Sequence, residues 1–599
     1  MKNFEMSSLA ISHGHSLHSQ EDIAQNLTEV LLKTAKQNST KGISYIQFDG
    51  TKNFQSYLEL RETATKILTG LQQLGLKPQD KVILQLEQNQ DFIQAFWACI
   101  LGGFVPVPLA TALIYEPDNS AAKKLHSAWQ VFDQPLVLTS EKLAAPIRNL
   151  AAQLKIENLK LATLEQLPSS SSKTDYHSAK PDEIALMLLT SGSTGIPKTV
   201  KLSHQNILNS IAATSQMGGF TSQDISLNWL PLDHPGPLIR CVIRMVYLGC
   251  QQIHAPTAMV LQEPLQWLDW LERYQVTTTW APNFAFALLN DRAEEINQRH
   301  WDLTSLKSFL NTAEPIVPQT AIKLWKLLNP HGLSKTAMHS SWGMAETSSG
   351  VTHSEQYLSD FSTDENHENN SFAELGLPVP GISLRIVDEQ NQIVTEQTIG
   401  YLQVKGATVT SGYEQNQEAN QEAFTADGWF KTGDLGFLAQ GRLTITGRIK
   451  DVIIINGNNY YSHEIEGIVE ELESVEVSYT AACGIRQPHS NTDRLAIFFH
   501  TTISEDVALS ELLKKIQQQI VRKIGISPSY LIPVEQATIP KTSIGKIQRS
   551  QLKQRFEAGE FDCCQKQNYR GSRAENRART TISCYLAESI KCANNWHSR

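Results

Sequence analysis

Apolar positions along the first half of the chain switch repeatedly between two spacings. Over residues 57–74 they recur at helical intervals and stop at Gly75 and Pro78; residues 81–86 then form an apolar run of strand length. The alternation continues with a helical pattern over 92–100, a strand over 104–109, a helix over 121–132 and a strand over 135–138. Such βα alternation predicts an α/β fold with mainly parallel sheets covered by helices. From about Gly376 the texture changes to short strands and turns at 383–387, 400–404, 428–432 and 442–446, a β-rich subdomain. Beyond Arg448, a strand over 452–455 precedes a helix from Ser462 with Ile465, Ile468, Val469 and Leu472 on one face. A strand over 495–499 and a helix over 509–524 complete a small α+β domain.

One stretch tests the globular reading. Residues 92–115 carry no charge, and about 20 apolar residues can span a bilayer. Gly102, Gly103, Pro106 and Pro108 interrupt it. Proline inside a continuous helix costs roughly 3 kcal/mol, so a buried helix, a turn and a buried strand are expected instead of a membrane span. Two polar stretches, 168–182 and 354–370, read as surface loops, and residues 557–599 as a disordered tail.

Composition narrows the function classes. The 599 residues favour more than one domain. Net charge is −9, from 52 basic and 61 acidic residues, which argues against nucleic acid as a partner. The 8 cysteines include no Cys-x-x-Cys pair, which argues against a zinc site, and they are too few for a disulfide scaffold. The first twenty or so residues lack an apolar signal core, so a cytoplasmic location is expected.

The strongest local signal is Leu188-Leu-Thr-Ser-Gly-Ser-Thr-Gly-Ile-Pro-Lys198. A buried strand runs into a loop of small hydroxyl residues and two glycines, and the chain returns as a strand before a helix capped at Ser203. Exposed N–H groups, hydroxyls and a lysine together make an anion cradle. The glycines stand closer together than in the Walker phosphate loop.

The string from Thr190 to Lys198 resembles the phosphate loop of adenylate-forming enzymes, the superfamily of acyl- and aryl-CoA synthetases, peptide-synthetase adenylation domains and luciferases. Further blocks follow in that family's order: Asn311-Thr-Ala-Glu-Pro315, Ser341-Trp-Gly-Met-Ala-Glu-Thr347, Gly428-Trp-Phe-Lys-Thr-Gly-Asp434, Gly447-Arg-Ile-Lys-Asp451 and Pro540-Lys-Thr-Ser-Ile-Gly-Lys546. The resemblance spans about residues 25–556. It implies an N-terminal extension over 1–24, an adenylation domain over 25–449, a hinge at Lys450 and a mobile lid domain over 450–556.

The resemblance also implies roles. Thr190, Ser191, Gly192, Ser193, Thr194, Gly195 and Lys198 would cradle pyrophosphate. Glu346 would bind Mg²⁺ and Thr347 the α-phosphate. Ala313, Glu314, Pro315 and Trp342 would hold adenine, and Asp434 with Arg448 the ribose. Lys546 would bridge the substrate carboxylate and the α-phosphate, two anions whose repulsion the site must offset. The cofactors implied are ATP and Mg²⁺.

His234 resembles the gate beside the acyl pocket. Amino-acid-activating domains carry an aspartate directly after it, and here Pro235 stands there. A carboxylic acid without an α-amine, fatty, aryl or keto, is therefore expected. Asn283, Phe284 and Phe286 lie in a segment similar to the acyl pocket of fatty-acyl-AMP ligases and of starter-loading domains in hybrid polyketide/peptide synthetases. The stretch after Thr347 is shorter than the insertion of fatty-acyl-AMP ligases, which keeps aryl and keto acids open. The acceptor implied is a phosphopantetheine thiol on a carrier protein acting in trans. Free CoA is the first rival, and a non-catalytic nucleotide-binding scaffold is the second.

Overall fold

The computed structural model describes residues 8–18, 24–38, 40–112, 114–117, 119–168, 175–190, 198–354, 372–455, 458–486, 493–542 and 545–561. Two compact units divide the chain, Met1–Ile445 and Thr446–Arg599.

In the first unit the expected βα alternation is present. The helix Tyr57–Gln73 starts where Ser56 and Glu59 cap each other's backbone N–H groups. It leads into a four-stranded parallel sheet ordered Val105–Pro108, Lys81–Gln85, Leu136–Thr139, Leu161–Thr163. The prolines of Val105–Pro108 fit because that strand lies at the sheet edge, where a missing N–H disrupts no ladder. The uncharged run is thus a buried helix, Asn89–Gly102, a left-handed turn at Gly103 and this strand. No helix among the described residues is long and apolar enough to cross a membrane.

A second, seven-stranded sheet runs Met338–Ser340, Ser308–Asn311, Thr278–Ala281, Ile225–Asn228, Gln251–His254, Gly42–Ile46, Lys52–Ser56. All neighbours are parallel except the final pair, an antiparallel hairpin. The β-rich region forms a five-stranded sheet of Ile11–His13, Ile382–Val387, Gly400–Gly406, Phe430–Ala439 and Arg442–Arg448. Residues 11–13 of the expected N-terminal extension are therefore an edge strand, paired antiparallel with Ile382–Val387. Backbone pairing is indifferent to sequence distance, so no local pattern announces such a strand. The final strand, Arg442–Arg448, runs across the boundary between the units.

The second unit packs a three-stranded sheet, Thr480–Arg486, Asp493–Phe499 and Tyr530–Pro533, against helices Ser462–Glu470 and Asp506–Ile524. Ile465, Val469, Ile497, Phe499, Ile516 and Ile520 form its core. Residues 562–599, and so most of the expected tail, lie outside the described residues.

Candidate active site

Parallel strands all deliver the chain to the same sheet edge, where ligands of open α/β sheets bind. Thr278–Ala281 leads into the Asn283 segment, Ser308–Asn311 into Ala313 and Glu314, Met338–Ser340 into Trp342, and Ile225–Asn228 into the His234 loop. Bonds between these exits fix the edge. Thr312 Oγ1 donates to the Ser341 carbonyl at 2.7 Å, and Asn311 Nδ2 donates to Asn283 Oδ1 at 3.0 Å.

Two of the residues expected to hold adenine and ribose, Trp342 and Asp434, are bonded to each other here. Trp342 Nε1 donates to Asp434 Oδ2 at 3.1 Å. Asp434 is buried, and its backbone N–H donates to Thr432 Oγ1 at 3.0 Å. Ala313 takes a left-handed φ of 79°, rare for a residue with a Cβ. The Glu314 carboxylate accepts from the Phe284 backbone N–H. Pro315 is exposed.

Glu346 and Thr347 lie in a short 3-10 turn, Ala345–Thr347, and both are buried. Thr347 Oγ1 accepts from the Met344 N–H at 3.1 Å and donates to the Met344 carbonyl at 3.0 Å. The turn closes through left-handed Ser348 and Ser349. A Cβ on Gly343 would sit 1.4 Å from the Ser349 oxygen, so only glycine fits there. Arg240, from the π-helical segment Pro237–Ile243, ties the two ends of this stretch. Its Nη2 donates to Ser341 Oγ and its Nε to Ser349 Oγ, each at 3.0 Å.

Sequence reasoning did not single out Tyr413. Its hydroxyl donates to Glu346 Oε1 at 3.0 Å, and Lys198 Nζ lies 4.9 Å from its ring centre. Burial, then the Glu346 charge, pushes the phenol upward, so it stays a donor. Tyr413 thus joins the lysine of the phosphate loop to the acidic turn. No motif or spacing marks it. Thr190 and Lys198 face each other at one end of an antiparallel pair, Ile184–Thr190 with Lys198–Ser203, and Thr190 Oγ1 donates to the Lys198 carbonyl at 3.2 Å. Ser191, Gly192, Ser193, Thr194 and Gly195 lie outside the described residues.

The candidate acyl-pocket residues are divided. Phe284 is half-buried, edge-on to Trp229 at 6.5 Å. Phe286 is wholly buried, 4.7 Å from Phe309 and 6.4 Å from Trp267. Two residues apart on helix Asn283–Asn290, the rings point to opposite sides. Phe286 thus packs inside the aromatic cluster of Trp229, Trp267 and Phe309, and Phe284 packs against its rim. Asn283 is buried too, accepting from Asn311 Nδ2 and from the Val317 N–H at 3.3 Å. His234 Nδ1 accepts from the Gly236 N–H at 3.2 Å. A Cβ on Gly236 would meet the Trp280 ring at 2.7 Å.

In the second unit, Lys546 sits in a hairpin turn. Its N–H donates to Thr542 Oγ1 at 3.1 Å, and its carbonyl accepts from the Thr542 N–H at 2.8 Å. Gly545 supplies the left-handed φ of 82° that this turn needs. Arg448 and Lys450 are exposed, Lys450 in the 3-10 turn Ile449–Asp451. Asp451 is within 3.4 Å of the buried Arg549, which also bonds Glu466.

A family model described as AMP-binding enzyme matches residues 33–414. Aspulvinone E synthetase of Aspergillus terreus is 32% identical over 554 residues, covering 90% of this chain and 58% of its own length. Microperfuranone synthase of Emericella nidulans is 32% identical over 552 residues, with the same two shares. The chain thus spans under two thirds of the length of these relatives. Among solved structures, the McyG A-PCP protein complexed with phenylalanyl-adenylate is 43% identical with a TM-score of 0.87, covering 97% of this chain and 88% of that one. The adenylation, ketoreductase and pseudo-Asub structure of a keto acid-selecting peptide-synthetase module is 43% identical with a TM-score of 0.85, covering 92% of this chain and 47% of that one.

Proposed function

The chain belongs to the AMP-binding enzyme family, and from that premise we propose that it activates an aryl or α-keto acid as an acyl-adenylate. The observation that carries the choice of acid is the gate. Directly after His234 stands Pro235, in a turn closed by the bond from the Gly236 N–H to His234 Nδ1. An α-ammonium needs a carboxylate partner when it leaves water. Proline supplies none. The similarity to a keto acid-selecting module supports the same acid class.

In the proposed reaction a carboxylate oxygen of the acid attacks the α-phosphorus of ATP. The bond from that phosphorus to the bridging oxygen breaks, and pyrophosphate leaves. Both reactants are anionic, so positive charge and fixed donors lower the barrier. Lys198 faces the leaving pyrophosphate, the Thr347 hydroxyl the α-phosphate, and Lys546 the attacking carboxylate and the α-phosphate. Trp342, Ala313, Glu314 and Pro315 hold adenine; Asp434 and Arg448 hold the ribose. Lys450 is the hinge about which the small domain turns before the thiol step.

Glu346 fits magnesium as a hard, buried carboxylate whose neighbour Tyr413 orients one oxygen. No group of three His, Cys, Asp or Glu residues able to hold a metal occurs among the described residues. Glu346 would therefore share the ion with substrate phosphates, and the bound ion would neutralise phosphate charge. The phosphopantetheine thiol of a carrier protein then attacks the acyl carbon, a thioester forms, the bond to the phosphate oxygen breaks and AMP leaves.

A second reading, an α-amino acid as substrate, has one observation behind it: the similarity to a protein complexed with phenylalanyl-adenylate. Acid-dependent exchange of labelled pyrophosphate into ATP separates the two. Phenylpyruvate should support faster exchange than phenylalanine or octanoate. Faster exchange with phenylalanine would sink the keto-acid reading, and no exchange with any acid would favour the non-catalytic scaffold. Efficient thioester formation with free CoA, but not with a holo-carrier, would replace the carrier as acceptor.

A further inference from the structure

Behind the strand-end wall lies a small cavity that the proposed chemistry does not use. Its lining includes Arg240, Arg244, Ser226, Thr278 and His353. Both arginines are 5% exposed. A buried guanidinium stays charged at neutral pH and calls for a counter-charge. Among the described residues neither arginine forms an ion pair. Asp224 is the carboxylate that acts on Arg244 from a distance. It is already held by Thr277 Oγ1 at 2.8 Å and Lys307 Nζ at 3.4 Å.

Among the described residues, two buried polar atoms of these side chains have no hydrogen-bond partner. Arg244 lies 4.3 Å from the Phe220 ring centre, and its Nε has no partner. Ser226 Oγ, also buried, has none either. His353 adds no charge, because burial, then His339 and the two arginines, holds its pKa well below the ordinary imidazole value. About 20 Å³ of the cavity accepts the centre of a water-sized sphere, which is room for roughly one small particle. An acyl chain or a phosphate does not fit. A cation would meet two positive charges. Neutral water would leave Arg240 without a facing carboxylate among the described residues.

We propose that this cavity binds one small monovalent anion, with chloride as the physiological occupant, held by Arg240, Arg244 and Ser226. The anion offsets the charge of Arg240, whose two bonds fix Ser341 and Ser349 at either end of the stretch carrying Trp342, Glu346 and Thr347. It is thus a buried support for the wall, independent of which acid the enzyme activates.

Crystals of the full chain grown in bromide test this directly. An anomalous peak at the bromine edge is expected inside the cavity, between Arg240, Arg244 and Ser226. In solution, chloride should raise the unfolding temperature by about 2 °C or more over gluconate at equal ionic strength. Arg244→Met, neutral and still able to pack on Phe220, should lose that difference. Absence of the bromide peak overturns the proposal, as does an equal chloride response in wild type and Arg244→Met. If the variant fails to fold, the bromide experiment on the wild-type chain decides alone.

Discussion

The wall at the strand ends and the turn carrying Lys546 are built by different means. Around Trp342, Glu346 and Thr347, nearly every polar group is committed: Trp342 to Asp434, Glu346 to Tyr413, Thr347 to the Met344 backbone, and both flanking serines to Arg240. The Lys546 turn is half-buried and is fixed by bonds to Thr542 and a left-handed glycine. A preorganised wall suits nucleotide binding, since donors held in place cost no reorganisation when the ligand arrives. A lysine on a short turn suits a group that need act in only one step. The difference teaches that substitutions in the wall should cost stability and binding together, whereas Lys546 should affect rate alone.

The largest expected effect tests that separation at the turn. Lys546→Ala should lower acid-dependent pyrophosphate exchange by about 10³-fold, roughly 4 kcal/mol in barrier. ATP affinity and unfolding temperature should stay at wild-type values. Loss of ATP binding in the variant would erase the contrast.

In the core behind the wall, Phe286→Ala should destabilise the first unit by about 3–5 kcal/mol, the usual cost of emptying an aromatic core position. The order of acid preference should not change. A switched preference in exchange assays would place Phe286 at the acyl pocket.

Buried imidazole in the same unit gives a pH signature. His204 is 1% exposed, and its Nδ1 accepts from the Leu27 N–H at 3.1 Å. Burial pushes its pKa down to about 4. Below the ordinary imidazole value the unfolded chain binds a proton that the folded chain refuses. Stability is therefore full above about pH 6.5 and falls as pH drops toward 4, by about 2–3 kcal/mol from this group. Denaturant unfolding at stepped pH should show the loss, and His204→Gln should flatten it.

The smallest effect dissects the wall itself. Trp342→Phe keeps a ring but removes the Nε1 bond to Asp434. It should weaken ATP binding about tenfold, or about 1.4 kcal/mol, and lower the unfolding temperature by a few degrees, roughly 1 kcal/mol. An unchanged KM for ATP would mean that this bond plays no part in holding the nucleotide.

Much of the fold was legible along the chain. The helix over 57–74 and the strands over 81–86 and 452–455 are marked by local spacing and stops, and the structure places them within a residue or so. The edge strand Ile11–His13 was not legible, because its partner Ile382–Val387 is far away in sequence. Within the site, Trp342, Glu346 and Asp434 stand in motif blocks, whereas Tyr413 and Arg240 do not. Phe284 and Phe286 share one apolar segment, so only the direction of each ring could tell wall from core.

By itself the sequence determined which segments are helices and strands, which blocks resemble nucleotide-binding motifs, and that proline follows His234. These are local properties, set by a few neighbouring residues. The tertiary structure alone decided that Trp342 reaches Asp434, that Tyr413 joins Lys198 to Glu346, and that two arginines line one cavity with no ion pair to a carboxylate among the described residues. Those are meetings between segments far apart in the chain, fixed by sheet order and packing, and no single stretch of sequence contains them.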